Sequence, residues 1–113
     1  MEPIEIAALS EWWDWLASPS PDCDDVWVVI FKKASGRQTV KFDELLAEAL
    51  CWGWVDTQTR GVDEERYGIR FRRRRPGSNW SATNRRIICR LLAEGRVQPS
   101  GQVTLPPDLM CPP

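Results

Sequence analysis

The sequence predicts an α+β fold, a small antiparallel meander sheet of about three strands packed against about three helices. Three segments place apolar residues at helical spacing, and three shorter segments are rich in β-branched and aromatic residues. The 113 residues suffice for one domain and are too few for two. We expect one domain over residues 1–97 and an extended, Pro-rich tail over residues 98–113.

The first predicted helix lies between Ser10, a favoured N-cap residue, and Pro19, which cannot continue a helix. Its apolar stripe, at i, i+3, i+4 and i+7, consists of Leu9, Trp12, Trp13 and Leu16. Trp15 lies off this stripe, so it either packs against another segment or is exposed for a partner.

An unbroken apolar run over residues 26–31 predicts a strand that is covered on both faces. The second helix is predicted over residues 42–52, where acidic residues occupy the first turn and Gly53 follows the last. The third helix is predicted over residues 82–94, with Ser78 or Ser81 as its cap. Its buried stripe, extended backwards by one turn, places Asn84 on the inner side.

Residues 54–60 and 66–73 predict a β-hairpin, because two strand-like segments flank a loop of suitable length. In the expected register Asp56 lies opposite Arg70, and Trp54 lies opposite Arg72. One face is then apolar and consists of Val55, Thr57, Tyr67, Ile69 and Phe71. The other face consists of Trp54, Asp56, Gln58, Arg66, Arg70 and Arg72.

The formal net charge of −1 hides a strong separation of charge along the chain. Residues 1–25 contain seven acids and no base, whereas residues 66–96 contain ten arginines and one acid. Two interpretations follow. The acidic end could pack against the basic segment within one domain, or the basic segment could meet an anion or a nucleic acid.

Several classes of site are excluded or disfavoured by composition. The absence of histidine excludes Ser–His and Cys–His catalytic pairs and histidine metal ligands. The four cysteines form no C-x-x-C pair and fit no zinc spacing, so we expect reduced thiols, no metal and no cofactor. No segment is apolar enough to span a membrane and the start is not a signal peptide, which favours a cytoplasmic protein.

One short segment collects most of the groups that could bind a polar ligand. Residues 70–84 hold arginines, small hydroxyl side chains and a helix start, whose first N–H groups lack internal partners. Arg74 or Arg75 beside that helix start could hold a carboxylate or a phosphate. With neighbours on the hairpin, the predicted ligand-binding residues are Trp54, Asp56, Arg70, Arg74, Arg75, Ser78, Asn79, Trp80, Ser81 and Asn84.

These residues also have a purely structural interpretation. The two serines could cap the helix, Asn79 could hold the turn, and Trp80 could anchor the core. Asp56 opposite Arg70 is then a cross-strand ion pair. A carboxylate held beside a guanidinium is a poor general base at neutral pH, which favours an orienting role over a catalytic one.

Two motifs resemble those of a known family. They are Ala49-Leu-Cys-Trp-Gly-Trp-Val-Asp56 and Arg-Pro-Gly-Ser-Asn-Trp-Ser81, and they are similar to motifs of the bacterial YdeI/OmpD-associated, or bacteriocin-protection, family. The resemblance implies a small cytoplasmic α+β domain linked to tolerance of bacteriocins or cationic antimicrobial peptides. It carries over no catalytic residue. The chain departs from the family at Thr57, where glycine is usual, and at Arg72 and Arg73, where Thr-Pro is usual.

Three classes of function remain open from the sequence. The leading hypothesis is a non-catalytic domain that binds an anionic or polar small ligand, or a protein partner. The alternatives are a nucleic-acid-binding domain that uses a basic face over residues 72–90, and an enzyme that uses Asp56. Seven tryptophans in so small a domain also favour a homodimer, in which Trp15 and the tail are the candidate contacts.

Overall fold

The computed structural model describes residues 3–19, 22–37, 40–75 and 77–111. These residues form four strands, four α-helices and one short 3-10 turn at Lys33–Ser35. In chain order the elements are β1 (Ile4–Glu5), α1 (Leu9–Ala17), β2 (Asp25–Phe31), α2 (Phe42–Cys51), β3 (Trp54–Gly61), β4 (Arg66–Arg73), α3 (Ala82–Ala93) and α4 (Pro99–Gln102).

The α+β class is confirmed, but the sheet is not a three-stranded meander. Its four strands lie in the order β1-β2-β4-β3, and β1 runs parallel to β2 while the other pairs are antiparallel. Strands β2 and β4 are the inner strands and carry fully buried residues such as Val28, Ile69 and Phe71, whereas β3 lies at an edge and is mostly exposed. Strand β1 has two residues, too few to show a periodic pattern.

The β3–β4 hairpin forms where it was predicted, but in a different register. Phe71 lies opposite Asp56, where the prediction placed Arg70, and Arg73 lies opposite Trp54. The predicted Asp56–Arg70 pair is therefore wrong. Side chains of opposite residues share a face, so Trp54 lies on the same face as Phe71 and is buried with it.

The register differs from the predicted one by one residue between Trp54 and Asp56 and by two residues between Gln58 and Gly61. The pairing is irregular between Asp56 and Gln58, so that Thr57 is an extra residue in β3. Beyond this point Gln58 lies opposite Arg70, and the pairing continues to Gly61 and Tyr67, so the last pair encloses residues 62–66 where 61–65 was predicted, and the larger part of the error arises there. A bulge of this kind leaves no sign in hydrophobic alternation, because β3 is polar and mostly exposed.

Helix α2 separates two hydrophobic clusters. One cluster lies between the sheet and the helices α1 and α2, and the other joins α2 to α3 and the C-terminal segment. Trp12 is fully buried in the first, and its indole N–H donates to the carbonyl oxygen of Leu45 at 3.0 Å. Trp15 stacks on Trp12 and meets Trp54 edge-on, so it is a packing residue of this domain.

Residues 98–111, expected to be an extended tail, instead pack against the domain. The backbone N–H of Gln98 donates to the carbonyl oxygen of Cys51 at 2.8 Å, and Gly101 is buried against the same backbone. Apolar residues of the segment join the second cluster. Cys89 and Cys111 form a disulfide, so the expectation of reduced thiols does not hold for this pair. Pro112 and Pro113 lie outside the described residues.

The helix starts agree with prediction for α3 but not for α1. The Ser81 hydroxyl accepts a hydrogen bond from the backbone N–H of Asn84 at 3.1 Å and caps α3. Helix α1 begins two residues earlier than a Ser10 cap would require, because the Glu11 carboxylate accepts from the backbone N–H of Ala8 at 3.0 Å. A small hydroxyl residue often caps the start of a helix. Here the carboxylate of Glu11, in the first turn of the helix, caps it instead.

Ion pairs join the acidic N-terminal part to the arginine-rich part within this one domain. The Asp25 carboxylate pairs with the Arg70 guanidinium, and Glu5 pairs with Arg66 at 2.6 Å. For these residues the first of the two charge interpretations is confirmed. Among the described helices none is long and apolar enough to cross a membrane.

Candidate functional site

The chain turns sharply after β4 and runs towards the start of α3. The backbone N–H of Arg74 donates to the carbonyl oxygen of Gly53 at 2.7 Å, which ties the end of β4 to the turn between α2 and β3. Ser78 then donates its backbone N–H to the carbonyl oxygen of Arg75 at 3.1 Å. Four consecutive arginines and the polar residues before α3 therefore lie side by side.

These residues line a depression of about 350 Å³, which we call the arginine cleft. Its lining residues are Val55, Thr57, Arg72, Arg73, Arg74, Arg75, Ser78 and Asn79. Four of them are cations, and no acidic residue of the described chain is among them. The cleft is therefore a strongly positive surface with a few neutral hydrogen-bonding groups at its side.

Arg74 is the least exposed of these arginines, with 8% of its surface accessible. Its guanidinium lies over the Trp80 ring, 3.8 Å from the centroid, and donates to the carbonyl oxygen of Asn79. Burial lowers the pKa of the Arg74 guanidinium, and the nearby Asp56 carboxylate acts in the opposite direction. The Nε–H group of Arg74 is buried and has no hydrogen-bond partner among the described residues.

Other groups of the cleft also have unused hydrogen-bonding capacity. The Ser78 hydroxyl is buried and has no partner within the described part of the chain. Arg72 and Arg75 are exposed, and neither forms an ion pair with a described residue. A buried polar group without a partner costs about 1–3 kcal/mol, so these groups mark a place where a ligand would be stabilised.

Arg73 has a different role from its neighbours. Its Nε–H group donates to the carbonyl oxygen of Cys23 at 2.8 Å, and its guanidinium lies 4.8 Å from the centre of the Trp54 ring. Asp24 is at 4.0 Å from the same nitrogen. Arg73 therefore connects the sheet to the loop before β2 while it lines one side of the cleft.

The structure separates the ten predicted site residues into two groups. Arg74, Arg75, Ser78 and Asn79 line the cleft. The other six do not line it, and they are Trp54, Asp56, Arg70, Trp80, Ser81 and Asn84.

Most residues of the second group have a structural contact. Trp54 and Trp80 lie under arginine side chains, and Ser81 caps α3. Arg70 is paired with Asp25 instead of Asp56. The sequence-based prediction missed four lining residues, of which Arg72 and Arg73 were visible as part of an arginine run. Val55 and Thr57 reach the cleft beside the bulge in β3, for which the sequence carries no signal.

The support beneath Arg74 depends on the C-terminal segment. Trp80 is 7% exposed, and its indole N–H donates to the carbonyl oxygen of Thr104 at 3.3 Å. Thr104 is itself buried, and its hydroxyl donates to the carbonyl oxygen of Gly101 at 2.7 Å. The position of Arg74, which stacks on Trp80, is thus linked to the packing of α4.

The arginines of α3 lie on a separate surface. A second depression, of about 500 Å³, is lined by Arg85, Arg86, Cys89, Arg90, Ala93 and Met110, and it shares no lining residue with the arginine cleft. Arg85 is already paired with Asp108 at 3.4 Å. The basic face predicted over residues 72–90 is therefore two surfaces. No cluster of three Cys, Asp or Glu side chains suited to a metal ion occurs among the described residues.

Comparison with known proteins gives a family and no function. The chain matches the family model described as "Domain of unknown function (DUF8412)" over residues 4–104. No curated protein and no solved structure matches the chain significantly. The family match covers every element of the fold and the whole arginine cleft. The chain therefore belongs to the DUF8412 family of domains of unknown function.

Proposed function

We propose that the protein is a non-catalytic binding domain that holds a small ligand with an oxyanion group, such as a phosphate, in the arginine cleft. The observation that carries this proposal is the buried Arg74 guanidinium: within the described part of the chain its Nε–H group lacks a partner, and no acidic residue lines the cleft in which it lies. A desolvated cation with a free donor attracts an anion more strongly than an exposed cation does.

The chemistry of the lining residues suits an oxyanion. A guanidinium presents its donors in a planar fork that matches two oxygens of a phosphate or carboxylate. The Ser78 hydroxyl supplies a neutral donor, and Arg72 and Arg75 are exposed cations without an acidic partner among the described residues. The acid-base alternative, an enzyme that uses Asp56, gains no support, because Asp56 does not line the cleft.

Isothermal titration calorimetry with inorganic phosphate and pyrophosphate tests the proposal. We expect Arg74→Met to raise the Kd at least tenfold, because a hydrogen bond between charged groups contributes about 1.5–3 kcal/mol. The matched control is Arg86→Met, the same substitution at an exposed arginine of α3, which should leave the Kd within about twofold.

Two results would contradict the proposal. The first is the absence of heat from both anions at low ionic strength with a protein that is folded by circular dichroism. The second is an equal loss of affinity in Arg74→Met and Arg86→Met, since binding would then follow net charge and not the cleft.

The cellular role and the oligomeric state are further proposals. The resemblance to the bacteriocin-protection family suggests that the domain acts in the cytoplasm in tolerance of cationic antimicrobial peptides. Growth of cells with and without the protein in the presence of such a peptide tests this role. A homodimer would use the C-terminal segment, where Val103 is 70% and Met110 is 90% exposed. The mass in solution, measured by light scattering, tests the dimer.

A further inference from the structure

The face of the sheet opposite α1 presents an aromatic ring among arginines. In β2 the residues Val26, Val28 and Ile30 belong to the core under α1 and α2, so Trp27 points to the opposite face. Trp27 belongs to neither hydrophobic cluster and is partly exposed. We call Trp27, Gly68 and Arg60, which lie across β2, β4 and β3, the Trp27 platform.

The Trp27 ring lies directly on β4. A Cβ atom at Gly68 would meet the ring carbons of Trp27 at 3.3 Å and 3.8 Å, so the ring occupies the space that a side chain would need. Arg60, which pairs with Gly68 from β3, places its guanidinium 5.5 Å from the ring centre. The result is a flat aromatic and guanidinium surface of the kind on which unpaired nucleobases stack.

The charges around the platform are only partly neutralised. Arg70 beside the ring is paired with Asp25. Arg60 and Arg72, in contrast, have no acidic partner among the described residues. This face therefore favours a ligand that carries anionic groups in addition to a flat ring system.

The platform is continuous with the arginine cleft. Arg72 lines the cleft and lies opposite Asp25 in β2, and Trp27 follows Asp25 by two residues on the same face. The Trp27 ring itself lies on Gly68, four residues before Arg72 in β4, and four residues along a strand span about 13 Å, so a stretch of about two or three nucleotides would reach from the cleft to the ring. A phosphate in the cleft would leave the base of a neighbouring nucleotide beside Trp27.

We propose that the arginine cleft and the Trp27 platform together bind a single-stranded nucleic acid, with a backbone phosphate in the cleft and an unpaired base on Trp27. This inference rests on the proposed function and extends it from a small oxyanion to the backbone phosphate of a larger ligand. A duplex would not expose a base for stacking on the ring. The surface is also different from the α3 arginines, which lie in a separate depression.

Fluorescence anisotropy with labelled single-stranded DNA and RNA of about 10 nucleotides tests the inference. We expect a Kd that rises about tenfold in Trp27→Leu and severalfold in Arg60→Gln, and that rises steeply with salt. Arg60 is exposed, so Arg60→Gln decides the question if Trp27→Leu does not fold. Arg86→Gln is the matched control on α3, and its Kd should not change.

Inorganic polyphosphate of equal charge separates this inference from the proposed function, since it has phosphates but no bases. The inference is overturned if polyphosphate binds as tightly as the oligonucleotides, if Arg60→Gln and every folded Trp27 variant bind normally, or if Arg86→Gln is the weaker binder. In each of these cases the proposed function still holds if phosphate binds to the protein and if Arg74→Met weakens that binding. If phosphate, polyphosphate and oligonucleotides all fail to bind, both proposals are wrong.

Discussion

The substitution Gly101→Ala tests whether the C-terminal segment is an integral part of the domain. A Cβ atom at Gly101 would lie 2.3 Å from the carbonyl oxygen of Cys51 and 2.9 Å from its carbonyl carbon. Both atoms belong to the backbone of α2 and cannot rotate away. The two segments must therefore part by roughly 1 Å to restore ordinary contact.

The expected cost follows from the contacts that this movement breaks. Overpacking costs about 1–3 kcal/mol, and loss of the hydrogen bond from Gln98 to Cys51, 2.8 Å long, adds about 1 kcal/mol. We expect the free energy of unfolding to fall by about 3 kcal/mol and the Tm by roughly 10 °C. Because Trp80 donates to Thr104 just beyond this contact, phosphate affinity should also decrease.

Urea titration and thermal unfolding, each followed by circular dichroism, measure the effect. The matched control is Gly61→Ala, at an exposed strand end where no atom lies within 4 Å of the added methyl group, and it should change the Tm by less than about 2 °C. A Gly101→Ala protein with the wild-type Tm would refute the close packing of α4 on α2 and the dependence of the cleft on it.

Three further predictions concern the cysteines and the support beneath Arg74. Reduction of the disulfide should lower the free energy of unfolding by about 3 kcal/mol, since the bridge closes a loop across 22 residues; Cys111→Ser should remove the effect of reductant on Tm, and a persisting effect would contradict this assignment. Burial, together with the Glu48 carboxylate, raises the pKa of the Cys51 thiol from 9.0 to about 11. The folded state thus holds this proton more tightly, so the contribution to stability is complete below pH 9 and is lost as the pH rises towards 11; urea titrations across this range should show a smaller decline in Cys51→Ala, and an equal decline would exclude the thiol as a cause. Trp80→Phe keeps a ring under Arg74 but loses the indole donor to Thr104, so calorimetry should show phosphate affinity lowered severalfold, with unfolding easier by about 1 kcal/mol; unchanged affinity would show that this hydrogen bond does not position Arg74.

The helices α1, α2 and α3 and the strands β2, β3 and β4 could be predicted because each has a strong local signal, whereas β1 and α4 are too short to have one. Phe42, Leu45 and Ala49 in α2 recur at helical spacing, and the apolar run of β2 is short and rich in β-branched residues, as is typical of a covered strand. Strand order is a different matter, because it depends on which strand can be buried between two others. Strands β2 and β4 take the inner places, where Val28, Ile69 and Phe71 are fully buried, and this order depends on a comparison between strands that no local pattern contains.

The sequence could predict which segment forms the site, but not how the side chains of that segment are arranged and paired. The arginine run and the polar residues before α3 are consecutive in the chain, so their proximity needed no fold. The partners of those arginines are far away in sequence: Arg70 pairs with Asp25, and Arg73 donates to Cys23. Which arginines remain free for a ligand is decided by such long-range contacts, and only the structure shows them.

Helix α2 has a consequence for how this family can change during evolution. Seven consecutive residues, from Leu45 to Cys51, are buried, so the helix has no stretch of surface at its C-terminal end where substitutions are free. A substitution on the side of α2 that faces the sheet alters the packing of the first hydrophobic cluster. A substitution on the opposite side alters the second cluster, which contains Trp80 and so supports Arg74. We therefore expect relatives to vary in β3 and its loop, and to accept changes in α2 only when residues of both layers change with it.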